Sequence, residues 1–135
     1  MGIVGYGVCR FGAAFSFQDH PNVEVVAVTD LVPDRCAGLA EACRCAQTYP
    51  SCEEMIEDKR IEAVFIATDP PSHAPLAIAA MRAGKHVASA VPAVWRSLDQ
   101  AEELLKTVQT TGRKYMMFET SYFHEDLHAM RTLYQ

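Results

Sequence analysis

Residues 3–12 read IVGYGVCRFG: an apolar opening, two glycines one residue apart, and a third glycine displaced from its usual place. The stretch is either a phosphate-binding turn between a strand and a helix or a glycine-rich strand end. Its surroundings favour the turn. Apolar residues 1–5 predict a short strand before Gly5, and the residues from Gly7 to about 18 predict a helix after it. In the G-x-G-x-x-G pattern the third glycine lets helix and strand pack closely. Here Arg10 holds that position and Gly12 comes two residues later.

The alternation continues along the chain. Residues 23–28 are rich in valine and run into Thr29 and Asp30, as in a strand covered on both faces. Pro33 and Asp34 open a helix predicted over 34–43, and a brief extended piece covers 47–49. Ser51 with Glu54 makes a capping box for a short helix. Residues 62–67 (EAVFIA) predict another buried strand, followed by a helix over 72–83 with Ser72 as N-cap and Gly84 as terminator. A strand at 86–88 precedes a second capping box, Ser97 with Gln100. Leu98, Ala101, Leu105 and Val108 form the predicted buried stripe of the helix it begins. Gly112 ends that helix, 115–118 is the last strand, and the tail from His124 reads as helical. Strands alternating with helices predict an α/β, doubly wound, mainly parallel sheet, a Rossmann-like three-layer sandwich. Residues 1–123 would form this domain, and 124–135 the start of a helix leading into a further domain.

At 135 residues, half apolar and 21% charged, the chain suits one globular domain. A net charge of −5 without a basic cluster speaks against a nucleic-acid partner. No apolar run approaches the ~20 residues of a membrane span, and the N-terminus lacks a positively charged leader, so a cytoplasmic protein is expected. Five cysteines without a C-x-x-C pair read as reduced core residues. Cys36, Leu39, Ala40 and Cys43 share one helix stripe.

The chemistry of the turn comes from its spacing. Gly5 permits the tight bend, and Gly7 lets backbone approach a pyrophosphate. The amides of Gly7, Val8, Cys9 and Arg10, at a helix N-terminus, would face the phosphates. Asp30 ends the second strand about 20 residues further on, where a carboxylate receives the adenosine ribose hydroxyls. It also repels a 2′-phosphate by roughly 4 kcal/mol at 4 Å and an effective dielectric near 20. NAD is therefore expected rather than NADP, with Arg35 the residue able to reverse that choice.

GIVGYG at 2–7, VVAVTD at 25–30, VFIATDPPSH at 64–73 and AGKHVASAVP at 83–92 together resemble the N-terminal domain of the Gfo/Idh/MocA oxidoreductases. The resemblance implies a nicotinamide cofactor at the carboxyl edge of the sheet. It places Thr68, Asp69, Pro70, Pro71 and His73 beside the nicotinamide half, and it implies a sugar- or cyclitol-type substrate. It further implies a second domain that carries much of the substrate site and the interface of a homo-oligomer, leaving this chain alone without turnover. One departure stands out: the Glu-Lys-Pro of the family is Ala90-Val91-Pro92 here, and valine carries no proton. Lys85 and Lys114 precede their strands and lie at the opposite edge. Glu119, Tyr122 and His124 are the acid–base candidates left on the carboxyl edge, with Asp69 and His73 on the same edge. Trp95 reads as a packing residue.

Three other functions stay in view. One branch of the family uses NAD transiently to cleave glycosidic bonds. Val91 also suits a non-catalytic dinucleotide sensor. Finally, His124-Glu125-Asp126-Leu127-His128 matches H-E-x-x-H, in which a helix would place two histidines on zinc with Glu125 as base. No third ligand comes after it, so no metal site is expected.

Overall fold

The computed structural model describes residues 1–134; Gln135, the end of the expected tail helix, lies outside the described residues. Six parallel strands make one sheet: β1 (Gly2–Val4), β2 (Ala27–Thr29), β3 (Thr48–Tyr49), β4 (Ala63–Ile66), β5 (His86–Ser89) and β6 (Tyr115–Met117). Their order is β3-β2-β1-β4-β5-β6. The chain reverses its direction of winding between β1 and β4, so the carboxyl ends of those strands open a crevice. No described helix is long and apolar enough to cross a membrane.

Side chains alternate across the sheet as strand geometry requires. Ile3, Val28 and Phe65 face one layer, with Leu39 and Cys43 of helix α1 (Pro33–Ala42) and its end. Val4, Ala27, Val64, Ile66 and Val87 face the other. That second layer holds α2 (Cys52–Ile56), α3 (Pro70–Arg82) and α4 (Leu98–Thr111). The strand predicted over 23–28 is shorter than its valines suggest. Val23, Val25 and Val26 are only half-buried, and ladder pairing begins at Ala27.

The segment after the glycine turn corrects the sequence reading. It is not an α-helix but two short 3-10 turns, Phe11–Ala13 and Phe17–Asp19, with Arg10 and Ser16 in the left-handed region. The cause is an aromatic cluster. Phe15 stacks edge-on against Phe65 and Phe118, with ring centroids 5.6 and 4.7 Å away, while Phe17 lies 5.2 Å from Phe65. On one α-helix, residues 15 and 17 point to opposite sides. Burying both against Phe65 therefore requires the break at Ser16. Gln18 ties the segment to the end of α1 through the Ala42 carbonyl, 3.1 Å away, and Arg44 pairs with Asp19.

Capping agrees with the sequence at two helices. The hydroxyls of Ser51 and Ser97 accept the amides of Glu54 and Gln100, each at 3.2 Å. Ser97→Ala is expected to lower the unfolding free energy by about 1 kcal/mol in chemical denaturation. Two expectations fail. Ser72 is not an N-cap, because α3 starts at Pro70 and Asp69 holds the cap position. Proline at the first helical position loses nothing by lacking an amide hydrogen. The stripe of α4 is rotated: Leu104 and Thr107 are buried, whereas Leu98 and Leu105 are 82% and 60% exposed. The tail helix α5 (Glu125–Tyr134) buries no residue. Arg131 holds it to the preceding turn, its guanidinium 3.9 Å from the Tyr122 ring centroid and 2.7 Å from the Tyr122 carbonyl oxygen.

Candidate functional site

The crevice at the carboxyl ends of β2, β1, β4 and β5 has a volume of about 1000 Å³, at the upper end of the range for small-molecule sites. Its floor is the glycine turn. Gly5 has φ +88° and donates its amide to the Thr29 carbonyl at 2.8 Å. Gly12 runs against Gly5 so closely that a methyl group on it would sit 2.0 Å from the Gly5 carbonyl oxygen. The displaced glycine thus supplies the close approach that the third glycine of the pattern is there to allow. The amides of Gly7, Val8 and Cys9 have no hydrogen-bond partner among the described residues.

Asp30 turns into this crevice from the end of β2. Its Oδ2 accepts the amide of Tyr6 at 2.8 Å and its Oδ1 that of Val32 at 2.9 Å. A carboxylate has about four acceptor positions, so capacity remains for hydroxyl groups. Leu31, 83% exposed, and Val32 add an apolar wall beside it, with Arg35 at the rim.

At the other end, Thr68, Asp69, Pro70, Pro71, His73 and Val91 line the crevice. His73 is 1% exposed, with Nδ1 2.8 Å from the Pro92 carbonyl oxygen and Nε2 3.1 Å from that of Thr68. The ring therefore ties the loop after β4 to the loop after β5. Ser89, buried at the end of β5, shares a 2.6 Å hydrogen bond with the Tyr115 hydroxyl, whose pKa burial raises.

Gly5, Gly7, Val8, Cys9, Asp30, Thr68, Asp69, Pro70, Pro71 and His73 all line the crevice; Arg10 does not. Nor do Glu119, Tyr122 and His124. The Glu119 carboxylate takes both the hydroxyl and the amide of Ser121, which hold its pKa below the usual range. Lys85 lies at the far edge, its Nζ 2.8 Å from the Asp58 carbonyl oxygen. Trp95 is partly exposed under the Arg96 guanidinium, 5.0 Å from the ring centroid. The H-E-x-x-H stretch is not wholly helical: His124 precedes α5 in an extended conformation. Among the described residues no three His, Cys, Asp or Glu side chains gather as metal ligands.

Sequence reasoning missed Leu31, Val32, Cys52 and Glu53. An apolar pair just past the acidic strand end was the available signal for the first two. Nothing local links α2 to the glycine turn. The cysteines also divide. Cys43, Cys45 and Cys52 are buried and Cys36 half-buried, but Cys9 is exposed. Burial pushes the Cys43 thiol up to about 11, and burial with the neighbouring Glu53 pushes Cys52 up to about 12. Iodoacetamide at pH 8 is therefore expected to label Cys9 in the folded protein and leave Cys43 and Cys52 unmodified, as read by peptide mass mapping.

A parallel sheet whose glycine turn and acidic strand end meet at the switch point defines a dinucleotide-binding domain. The chain belongs to the Gfo/Idh/MocA oxidoreductase family, whose NAD-binding Rossmann-fold model matches residues 1–119. It is 34% identical over 142 residues to glycosyl hydrolase family 109 protein 1 of Bacteroides fragilis, covering 98% of this chain and 30% of that relative. Its backbone is similar to myo-inositol 2-dehydrogenase from Lactobacillus plantarum, with a TM-score of 0.87, 20% identity, and 98% and 40% of the two chains covered. The biliverdin reductase of Synechocystis, solved with biliverdin and NADP+, gives 0.86 at 24% identity, covering 97% and 41%. The chain thus spans about three tenths of the length of the relative and two fifths of these two structures.

Proposed function

We propose that this chain is the nicotinamide-dinucleotide-binding part of an enzyme acting on a hydroxyl-bearing carbon of a sugar or cyclitol. The observation that carries this reading is the pairing of the open amides of Gly7, Val8 and Cys9 with the inward-turned Asp30. A methyl group on Gly7 would meet nothing closer than the Ala67 carbonyl oxygen at 3.8 Å, so backbone lies bare to a ligand. The turn amides would hold the pyrophosphate without help from a long helix dipole. Asp30 would take the adenosine ribose hydroxyls, Leu31 and Val32 would flank the adenine, and Thr68 with Pro70 and Pro71 would bound the nicotinamide. The cofactor, when bound, accepts or returns a hydride; the protein's part is to orient it and exclude water. The carboxylate of Asp30 favours NAD over NADP.

A second reading is net glycoside cleavage, with the hydride returned within each turnover. Val91 in place of lysine and the likeness to a glycosyl hydrolase support it. Titration calorimetry of this chain with NADH and NADPH tests the shared premise, and failure to bind either overturns it. Full-length protein then separates the readings. A dehydrogenase builds up reduced-cofactor absorbance from free sugars, whereas the glycosidase releases free sugar from glycosides with no net reduction.

A further inference from the structure

The end of the crevice bounded by Val91 has an unusual donor and acceptor balance. Asp69 stands at the cap position of α3 and lines the cavity. Its Oδ1 accepts the Ser72 hydroxyl at 2.9 Å, and its Oδ2 has no partner among the described residues. A helix N-terminus usually offers free amides to an anion. Here Pro70 and Pro71 have no amide hydrogen, and the Ser72 amide is spent on the Asp69 carbonyl at 3.0 Å. Pro75 lies inside the same helix, so the Pro71 carbonyl lacks the amide that a regular ladder would bring to it. The cationic residue on the crevice wall, Arg35, belongs to the opposite end, after β2. The far end therefore presents acceptors and a negative charge to whatever enters.

Resting on the sugar or cyclitol reading above, we infer that Asp69 is a specificity-determining residue that takes hydroxyl hydrogens of a neutral polyhydroxylated substrate and repels carboxylate- or phosphate-bearing ones. A hydroxyl group can donate to Oδ2 or to the Pro71 carbonyl. A uronate or sugar phosphate placed there would face Asp69 with no lysine or arginine among the described residues lining that end.

The test uses the full-length protein saturated with NADH and saturation-transfer difference NMR. D-galactose, D-glucose and myo-inositol are compared with D-galacturonate, D-glucuronate and myo-inositol 1-phosphate. At least one neutral probe is expected to bind in preference to its anionic counterpart. Asp69→Asn, which keeps an oxygen for Ser72, should reduce that preference by about tenfold through loss of the charge, read with NADH raised to saturate the variant. Equal or stronger binding of the anionic probes, a preference unmoved by Asp69→Asn, or binding of no probe at all overturns the inference. Failure to bind NADH at all would instead overturn the dinucleotide reading on which it rests.

Discussion

Gly12→Ala is expected to cost at least about 4 kcal/mol of stability, enough to unfold a domain of ordinary stability or leave it marginal. The added methyl would lie 2.0 Å from the Gly5 carbonyl oxygen and 3.1 Å from its carbon. Backbone cannot swing aside as a flexible side chain can, so the strand end and the 3-10 turn must part. The aromatic cluster hangs on that turn, because Phe11 and Phe15 lie within the same short segment. Gly84→Ala is the control. Its φ of +85° is strained for alanine, but a methyl there meets nothing within 4 Å. It should cost only roughly 1–2 kcal/mol. Urea unfolding of both variants checks the comparison, and equal losses would disprove the close-approach role of Gly12.

Asp30→Ala should lower NADH affinity by about a hundredfold, since two charge-assisted hydrogen bonds to ribose hydroxyls at about 1.5 kcal/mol each would go. The same change removes the repulsion of a 2′-phosphate, roughly 4 kcal/mol at 4 Å. NADPH binding should therefore rise relative to NADH by at least about a hundredfold. Because Asp30 also receives the amides of Tyr6 and Val32, part of the NADH loss will come from a loosened turn. Asp30→Asn keeps the side-chain shape but removes the charge and, by replacing one oxygen with a donating NH2, one of the two amide bonds. A shift in the NADH to NADPH ratio as large as in Asp30→Ala, with a smaller loss of thermal stability, therefore points to electrostatics. Calorimetry with both nucleotides reads the ratio, and thermal unfolding reads the turn. An unchanged ratio in both variants would remove Asp30 from the cofactor site.

The positions of the two glycines, of Asp30 and of the Thr68 loop are legible in the sequence because each signal is local. A bend needs a residue that tolerates positive φ, and an acid just past a β-branched run sits at a strand's carboxyl end. Once parallel order is granted, these ends fall on one edge. Arg10 is not legible for the opposite reason, since the direction of an exposed long side chain depends on the turn that carries it. Glu119 offers a similar case. Its place after the last strand is readable, but its commitment to Ser121 is not.

The sequence by itself determined the alternation of strands and helices, the caps at Ser51 and Ser97, the stop at Gly84 and hence the doubly wound sheet. These rest on backbone preferences and on contacts within a few residues. The tertiary structure alone decided the path of the chain beyond the glycine turn, because Phe65 and Phe118, distant in sequence, draw Phe15 and Phe17 to the same place and an α-helix cannot present both. It also decided which face of α4 is buried, since two apolar stripes compete there and only the position of α3 and the sheet chooses between them. The acceptor-rich end of the crevice was likewise its work: proline at the first helical position sets the start of α3 and puts Asp69 at its cap position, but only the sheet brings that end beside Val91, from the loop after β5.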